Sequence, residues 1–285
     1  MLTNKYISID SLCFGYTPSQ MILNNISFEI IKGSYMALLG ASGSGKSTLL
    51  RIIANILPNN KAQYFNGEVS VFGESAIDHR DTGYLSFMFQ EPSLMPNLNV
   101  RDNIEFPLRL RGESVDIDFV DSLISTVGLK EHQNKLPKEL SGGMKTRVSL
   151  ARAFVTKPEL LLLDEPFSAL DISWRYEMYT YLDKIKEKLS TTVILVTHDI
   201  QEAVLLADKI LVLSKEGRII NEKKLKQQLN RHFDYEYTNK ILKNKQPTLS
   251  ELQTDILLDG KKQLDDKESK IILPKHEKEI TINEK

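Results

Sequence analysis

A single cysteine, Cys13, stands in a chain of 285 residues. One cysteine excludes an internal disulfide framework and any cysteine-based zinc cluster. Its surroundings, Tyr6 to Tyr16, read as strand, where a small buried hydrophobic residue is expected. An excess of charge of one sign is also missing: 37 Lys and Arg against 38 Asp and Glu leave a formal net charge of −1. That balance lacks the basic footprint of a dedicated nucleic-acid binder, so no nucleic-acid partner is expected. No apolar run approaches the ~18 residues that a membrane-spanning helix needs. The start, Met1-Leu2-Thr3-Asn4-Lys5-Tyr6, has no apolar stretch behind its charge, so no signal peptide is read. The expectation is a cytoplasmic chain that works at a membrane only by docking onto something else. No internal repeat is found.

What is there is an ordinary globular mix, 41% hydrophobic and 26% charged, enough for a sizeable core. Charge divides the chain into two zones. About two residues in five are charged in 221–285, against about one in five before it. Residues 1–220 therefore read as the folded body and 221–285 as a C-terminal extension. Within the extension, Leu225 to Leu242 has the pattern of one or two amphipathic helices, and the chain from about Asn244 onward reads as loosely ordered.

The body alternates. Short apolar runs at Met36–Leu39, Leu85–Phe89, Leu160–Leu163, Val193–Val196 and Ile210–Leu213 read as buried strands. Helical patterns lie between them at Lys46–Ile56, Ser141–Thr156, Ile172–Leu189 and Ile200–Ala207. This is the pattern of an α/β fold, a mostly parallel sheet with helices on both faces. Tyr6–Asp10, Ile26–Ile31 and Glu68–Phe72 read as antiparallel strands flanking it, and residues 92–138 as a small inserted helical subdomain.

Gly40-Ala41-Ser42-Gly43-Ser44-Gly45-Lys46-Ser47 follows the first buried strand and opens a helix at Thr48, which is the full P-loop pattern of a nucleoside triphosphatase. The glycines allow close backbone approach, so that N–H groups form an anion nest. Lys46 supplies a point charge for the β- and γ-phosphates, and the Ser47 hydroxyl is a Mg²⁺ ligand. Leu160–Leu163 ends in Asp164-Glu165. A carboxylate at a strand's carboxyl end suits the Mg²⁺ shell, here Asp164, and its neighbour Glu165 suits a general base acting on water. The bland alternative is a solvated acidic turn. His198, after Val193–Val196, is either structural or a sensor of the γ-phosphate, and Gln90 has the same strand-end placement. Polar groups gathered at the carboxyl ends of parallel strands form the expected ligand crevice.

Together with Leu140-Ser141-Gly142-Gly143-Met144, these pieces resemble the ATP-binding subunit of ABC transporters, over roughly residues 5–220 and in that family's order. The resemblance makes 40–47 the phosphate loop, Gln90-Glu91-Pro92 the glutamine loop, 140–144 the signature, Ser168-Ala169-Leu170-Asp171 the aspartate loop and His198 the switch histidine. It adds Gln90 to Ser47 and Asp164 at the metal. It places Gly40, Ser42, Gly43, Ser44, Gly45, Lys46, Ser47, Thr48 and Asp171 around ATP, with Tyr16 stacking on adenine. Phe14 lies two residues from Tyr16, and the alternative is that both rings pack in the core.

The resemblance also implies partners. Ser141, Gly142 and Gly143 of one chain would close over the nucleotide of a second, giving a two-fold ATP sandwich in a homodimer. A groove beside the helical subdomain would receive a membrane permease subunit, with Pro92, Ser93, Leu94, Met95, Pro96 and Leu98 as lining candidates. The chain would then sit on the inner face of the cell membrane through the permease, with a solute-binding protein as an indirect partner. Met144 resembles the subgroup serving nitrate, sulfonate and taurine importers, and Phe167 and the glutamine loop resemble importers. The expected function is an ATPase that energises import of a small polar or anionic solute. An exporter or lipid-transport subunit and a soluble ABC ATPase without a transport role are the alternatives.

Overall fold

A computed structural model of the chain describes residues 5–57, 63–75, 85–225 and 233–269. The chain opens with a long hairpin, β1 (Lys5–Thr17) and β2 (Gln20–Ile31), followed by β3 (Tyr35–Gly40) and helix α1 (Lys46–Ile53). Then come β4 (Tyr64–Val71), β5 (Glu74–Ser75) and β6 (Leu85–Met88). Helices α2 (Val100–Leu110), α3 (Ile117–Thr126) and α4 (Gly142–Phe154) lead to β7 (Leu160–Asp164) and α5 (Ile172–Leu189). The core closes with β8 (Thr192–Val196), α6 (Ile200–Leu206), β9 (Lys209–Leu213) and β10 (Ile219–Lys224), and α7 (Tyr235–Asn244) and α8 (Gln246–Ser269) follow.

Six strands form the central sheet in the order β10-β9-β3-β8-β7-β6. All its pairings are parallel except that of β10 with β9. Strands β3, β7 and β8 are buried along their whole length, as a sheet covered on both faces requires. Alternate residues feed two cores. Ala37, Leu39, Leu161, Leu163, Val193 and Leu195 pack with the helices on one side. Met36, Leu38, Leu160, Leu162, Ile194 and Val196 pack with α1 and a second, antiparallel sheet of order β2-β1-β4-β5. The α/β architecture expected from the sequence is present.

Helices α2 and α3 lie between β6 and α4. Each begins at a side-chain cap, Asn99 accepting from the Asp102 N–H and Asp116 from the Phe119 N–H. Their apolar faces, Val100, Ile104, Leu108, Val120, Leu123 and Ile124, join the helix-side core of the sheet. Among the described residues, no helix is long and apolar enough to cross a membrane.

Some expectations are corrected. The flanking strands run longer than their apolar alternation suggested, because left-handed residues at Ser11 and Asn25 and several register shifts interrupt the period of two. Cys13 is half-buried, and its sulfur accepts a hydrogen bond from the Asn25 N–H across that irregularity. The boundary drawn at residue 220 falls inside β10, which pairs with β9. Leu225 extends that strand's path, its N–H donating to the Asp208 carbonyl, so the amphipathic run starting there is not helical at its beginning. Residues 226–232 and 270–285 lie outside the described residues. Of the chain expected to be loosely ordered from about Asn244, residues Gln246–Ser269 form helix α8, whose Leu249 and Leu252 are buried in the helix-side core. Its remaining turns are largely charged, which hid that spacing.

Leu252 is fully buried. Leu252→Ala should lower global stability by about 2–5 kcal/mol, as for other buried leucines, measured by denaturant unfolding of the full chain. A variant as stable as the parent would mean that α8 is not part of the cooperative core.

Candidate nucleotide site

The carboxyl ends of β3, β7, β8 and β6 lie side by side, so the residues just after them converge. Gly40 ends β3 and the phosphate loop follows. Gly45 holds a left-handed φ of 94°, and a Cβ there would come within 3.0 Å of Ile22 and Leu23, so only glycine fits the turn into α1. Helix α1 starts at that glycine with no side-chain cap. Its first-turn N–H groups therefore have no side-chain acceptor, which leaves a positive helix end open to an anion.

Lys46 lies back along the loop, its Nζ donating to the Gly40 carbonyl at 2.9 Å and the Ala41 carbonyl at 2.8 Å. It is buried. Burial lowers its pKa, and the nearby Glu165 and Asp164 only partly oppose that. A buried ammonium held by carbonyls, beside uncapped amides, is a donor set matched to phosphate oxygens.

The Ser47 Oγ donates to Asp164 Oδ1 at 2.8 Å. Asp164 is also buried, and desolvation raises its pKa against the Ser47 hydrogen bond and the charge of Arg51. Two hard oxygen donors, one of them a carboxylate that burial disfavours when charged, fit a Mg²⁺ ion.

Glu165 has a left-handed backbone, φ 48°, which is costly for a residue with a Cβ. Its N–H donates to the Val196 carbonyl at 2.9 Å, and its own carbonyl accepts from the Ser168 hydroxyl at 3.0 Å. This turn aims the carboxylate across the strand ends. Gln90 Nε2 donates to Glu165 Oε2 at 3.2 Å, and His198 Nδ1 lies 3.4 Å from Oε1. A cleft of about 140 Å³ is lined by Glu165, Ser168, Arg175, Thr197, His198, Asp199 and Glu202. Thus Lys46, Ser47, Asp164, Glu165, Gln90 and His198, drawn from four separate stretches of sequence, come together at one place.

Tyr16 and Phe14 divide. Phe14 is core, whereas Tyr16 is about one-third exposed, stands edge-on to Phe14 and has its hydroxyl 3.4 Å from Thr48 Oγ1 in the first turn of α1.

Ser141, Gly142, Gly143 and Asp171 do not join this cluster. Ser141 and Asp171 cap α4 and α5, accepting from the Met144 and Trp174 N–H groups. Gly143 abuts the Ala169 carbonyl, where a Cβ would stand 3.2 Å away. The signature and the aspartate loop therefore form one neighbouring, exposed patch.

Residues Arg175, Thr197 and Glu202 escaped sequence reading. The signal was there: Asp199-Ile200-Gln201-Glu202 has capping-box spacing. In the structure the Thr197 hydroxyl stands between the two members, donating to Glu202 and accepting from the Asp199 N–H.

Because Asp164 is harder to ionise folded than unfolded, its charge costs stability as pH rises from the unfolded carboxylate range through its raised folded pKa. Asp164→Asn keeps an oxygen for Ser47 and removes that cost. At pH 7 without metal or nucleotide it should melt several degrees above the parent, and it should lose metal-dependent turnover. A lower melting temperature would contradict the buried-charge reading.

The ABC transporter family profile matches residues 23–168. The aliphatic sulfonates import ATP-binding protein SsuB 2 of Pseudomonas syringae pv. tomato is 42% identical over 218 residues, 76% of this chain and 85% of that protein. The nitrate import ATP-binding protein NrtD of a Synechocystis strain is 41% identical over 212 residues, 73% of this chain and 77% of that one. The spermidine/putrescine import ATP-binding protein PotA of Thermotoga maritima is 39% identical over 202 residues, 70% of this chain; the match spans about half of that relative's length, 53%. Among solved structures, the dimeric post-hydrolysis ATP-binding cassette MJ0796 with ADP and Pi superposes with a TM-score of 0.69 at 29% identity, covering 78% of this chain and all of that one. The family profile covers half of the chain, and the P-loop, the acidic strand end and His198 lie together: the chain belongs to the ABC transporter family, as an ATP-hydrolysing cassette of it.

Proposed function

We propose that the chain energises import of a small polar or anionic solute, of the nitrate or sulfonate kind, through membrane permease subunits. The observation that carries the catalytic part is the Glu165 carboxylate held between Gln90 and His198 beside the Ser47–Asp164 pair. The solute class rests on the sulfonate and nitrate relatives, which match most of their length, and on Met144 in the signature.

In this reading Lys46 and the open amides of α1 bind the β- and γ-phosphates, and Tyr16 offers its exposed face to adenine. Ser47 and Asp164, with Gln90 beside them, would hold Mg²⁺, which supplies charge neutralisation between the phosphates when bound. Phosphate binding next to Lys46 offsets the desolvation that disfavours its charge. Glu165 accepts a proton from water at one carboxylate oxygen, and Gln90 and His198 fix where those oxygens point. His198, which is mostly exposed, also reaches toward the γ-phosphate. The exposed Ser141–Gly143 patch meets the nucleotide of a second chain, with Asp171 at the same junction. Closure of that dimer on ATP, and its reopening after hydrolysis, drive the permease, because ATP binds the closed form more tightly than the open one.

Deleting the encoding gene in its host should abolish ATP-driven uptake of nitrate or an alkanesulfonate. The wild-type gene should restore uptake, and Lys46→Ala, with turnover reduced by about a hundredfold or more, should not. Intact anion uptake alongside a lost efflux activity would overturn the import reading.

A further inference from the structure

Behind His198 lies a buried polar group that the catalytic scheme leaves unused. Thr197 is 2% exposed. Its Oγ1 donates to Glu202 Oε2 at 2.6 Å and accepts from the Asp199 N–H at 3.0 Å. Residues on both sides of His198 are thus fastened to one hydroxyl. Glu202 is also buried, and Tyr179 lies close enough to it to interact with its carboxylate. Arg175 approaches it at 3.9 Å and Asp199 at 3.5 Å.

Tyr179 joins three parts of the molecule. Its ring meets Phe167, two residues after Glu165, edge-on at 5.0 Å. It also meets Tyr176, tilted at 6.1 Å, and Phe233, edge-on at 5.7 Å, whose N–H donates to Thr180 Oγ1 at 2.9 Å. Further along, Lys245 Nζ donates to the Val204 carbonyl in α6, the helix that follows His198. The segment beyond β10 therefore packs on α5 and α6, the helices that follow Glu165 and His198 in the chain.

The His198 side chain is itself 64% exposed, with its Nδ1 3.4 Å from Glu165 Oε1. An exposed imidazole has little packing to fix its rotamer, so its aim depends on the backbone turn beneath it. We propose that Thr197, Glu202 and Tyr179 are positioning residues that hold His198 against Glu165, and that the segment from Phe233 to Leu252 completes the device by covering Tyr179. This rests on the γ-phosphate role proposed for His198. The chemistry at the strand ends then depends on the C-terminal segment without that segment touching nucleotide.

The test is steady-state ATPase kinetics on the full-length chain with Thr197→Val, Thr197→Ser, Tyr179→Phe and Phe233→Ala, each alone and with His198→Ala. Misplacing a reacting group by about 1 Å can cost on the order of a hundredfold, so Thr197→Val and Phe233→Ala should lower kcat by about tenfold or more. KM for ATP should stay within about twofold of the parent. Thr197→Ser restores the hydroxyl and should recover most of kcat. Tyr179→Phe keeps the ring contacts, removes the hydroxyl near Glu202 and should still lower kcat. With His198→Ala present, the same changes should cost less than about twofold further, since groups acting through one residue are not additive. Parental kcat in Thr197→Val, or losses that multiply in the His198→Ala background, would overturn the positioning network. Normal turnover in His198→Ala alone would remove the role of His198 and the network with it. A crippled His198→Ala beside a parental Thr197→Val would leave the nucleotide site standing and sink the network alone.

Discussion

Two opposite charges buried at the carboxyl edge of a parallel sheet set the terms for the rest of the molecule. Lys46 and Asp164 are each pushed by burial toward the neutral form, and neither makes a hydrogen-bonded pair with the other. A fold designed for stability alone would replace both with apolar groups. Here each is paired with weaker partners, carbonyls for the lysine and a hydroxyl for the aspartate, and so stays matched to a ligand that carries the missing charges. The uncapped start of α1 and the left-handed Glu165 belong to the same class of local cost. The long, fully buried strands β3, β7 and β8 are what allow a domain to carry them.

Much of this was legible in the chain because its physics is local. The phosphate loop is contiguous, its strand and helix are adjacent, and the apolar runs that become β3, β6, β7, β8 and β9 are short and bounded. Strand ends in a parallel sheet converge by topology, so Asp164, Glu165, Gln90 and His198 could be named before their contacts were known. The unreadable part is non-local or irregular. The bulges at Ser11 and Asn25 broke the alternation that marks strands. Helix α8 shows its apolar face at only a few positions, and its burial depends on a core formed some forty residues earlier. The Thr197–Glu202–Tyr179 network joins a strand end, a helix start and a helix interior, and no spacing rule connects Tyr179 to Glu202.

The C-terminal segment changes how the chain is divided. A composition boundary at 220 suggested a catalytic body with an appended tail, yet β10 crosses that point and Leu249 and Leu252 share the core of α5 and α6. Phe233 stands edge-on to the same tyrosine whose ring meets Phe167 beside the acidic turn. Relatives named for sulfonate, nitrate and spermidine/putrescine import match this chain at comparable identity. In the proposed function, choice of solute falls outside the nucleotide site, which converts phosphate binding into the closure of two chains.

That closure is the central claim, and it is tested most directly by light scattering on Glu165→Gln with and without Mg-ATP. Gln keeps the size of Glu165 and loses its basicity, so ATP should bind and remain uncleaved. The expected result is a monomer of about 32.5 kDa without nucleotide and a stable dimer of twice that mass with it. A variant that binds ATP and stays monomeric, while the parent chain dimerises under the same conditions, would contradict both the shared site and the role of Glu165.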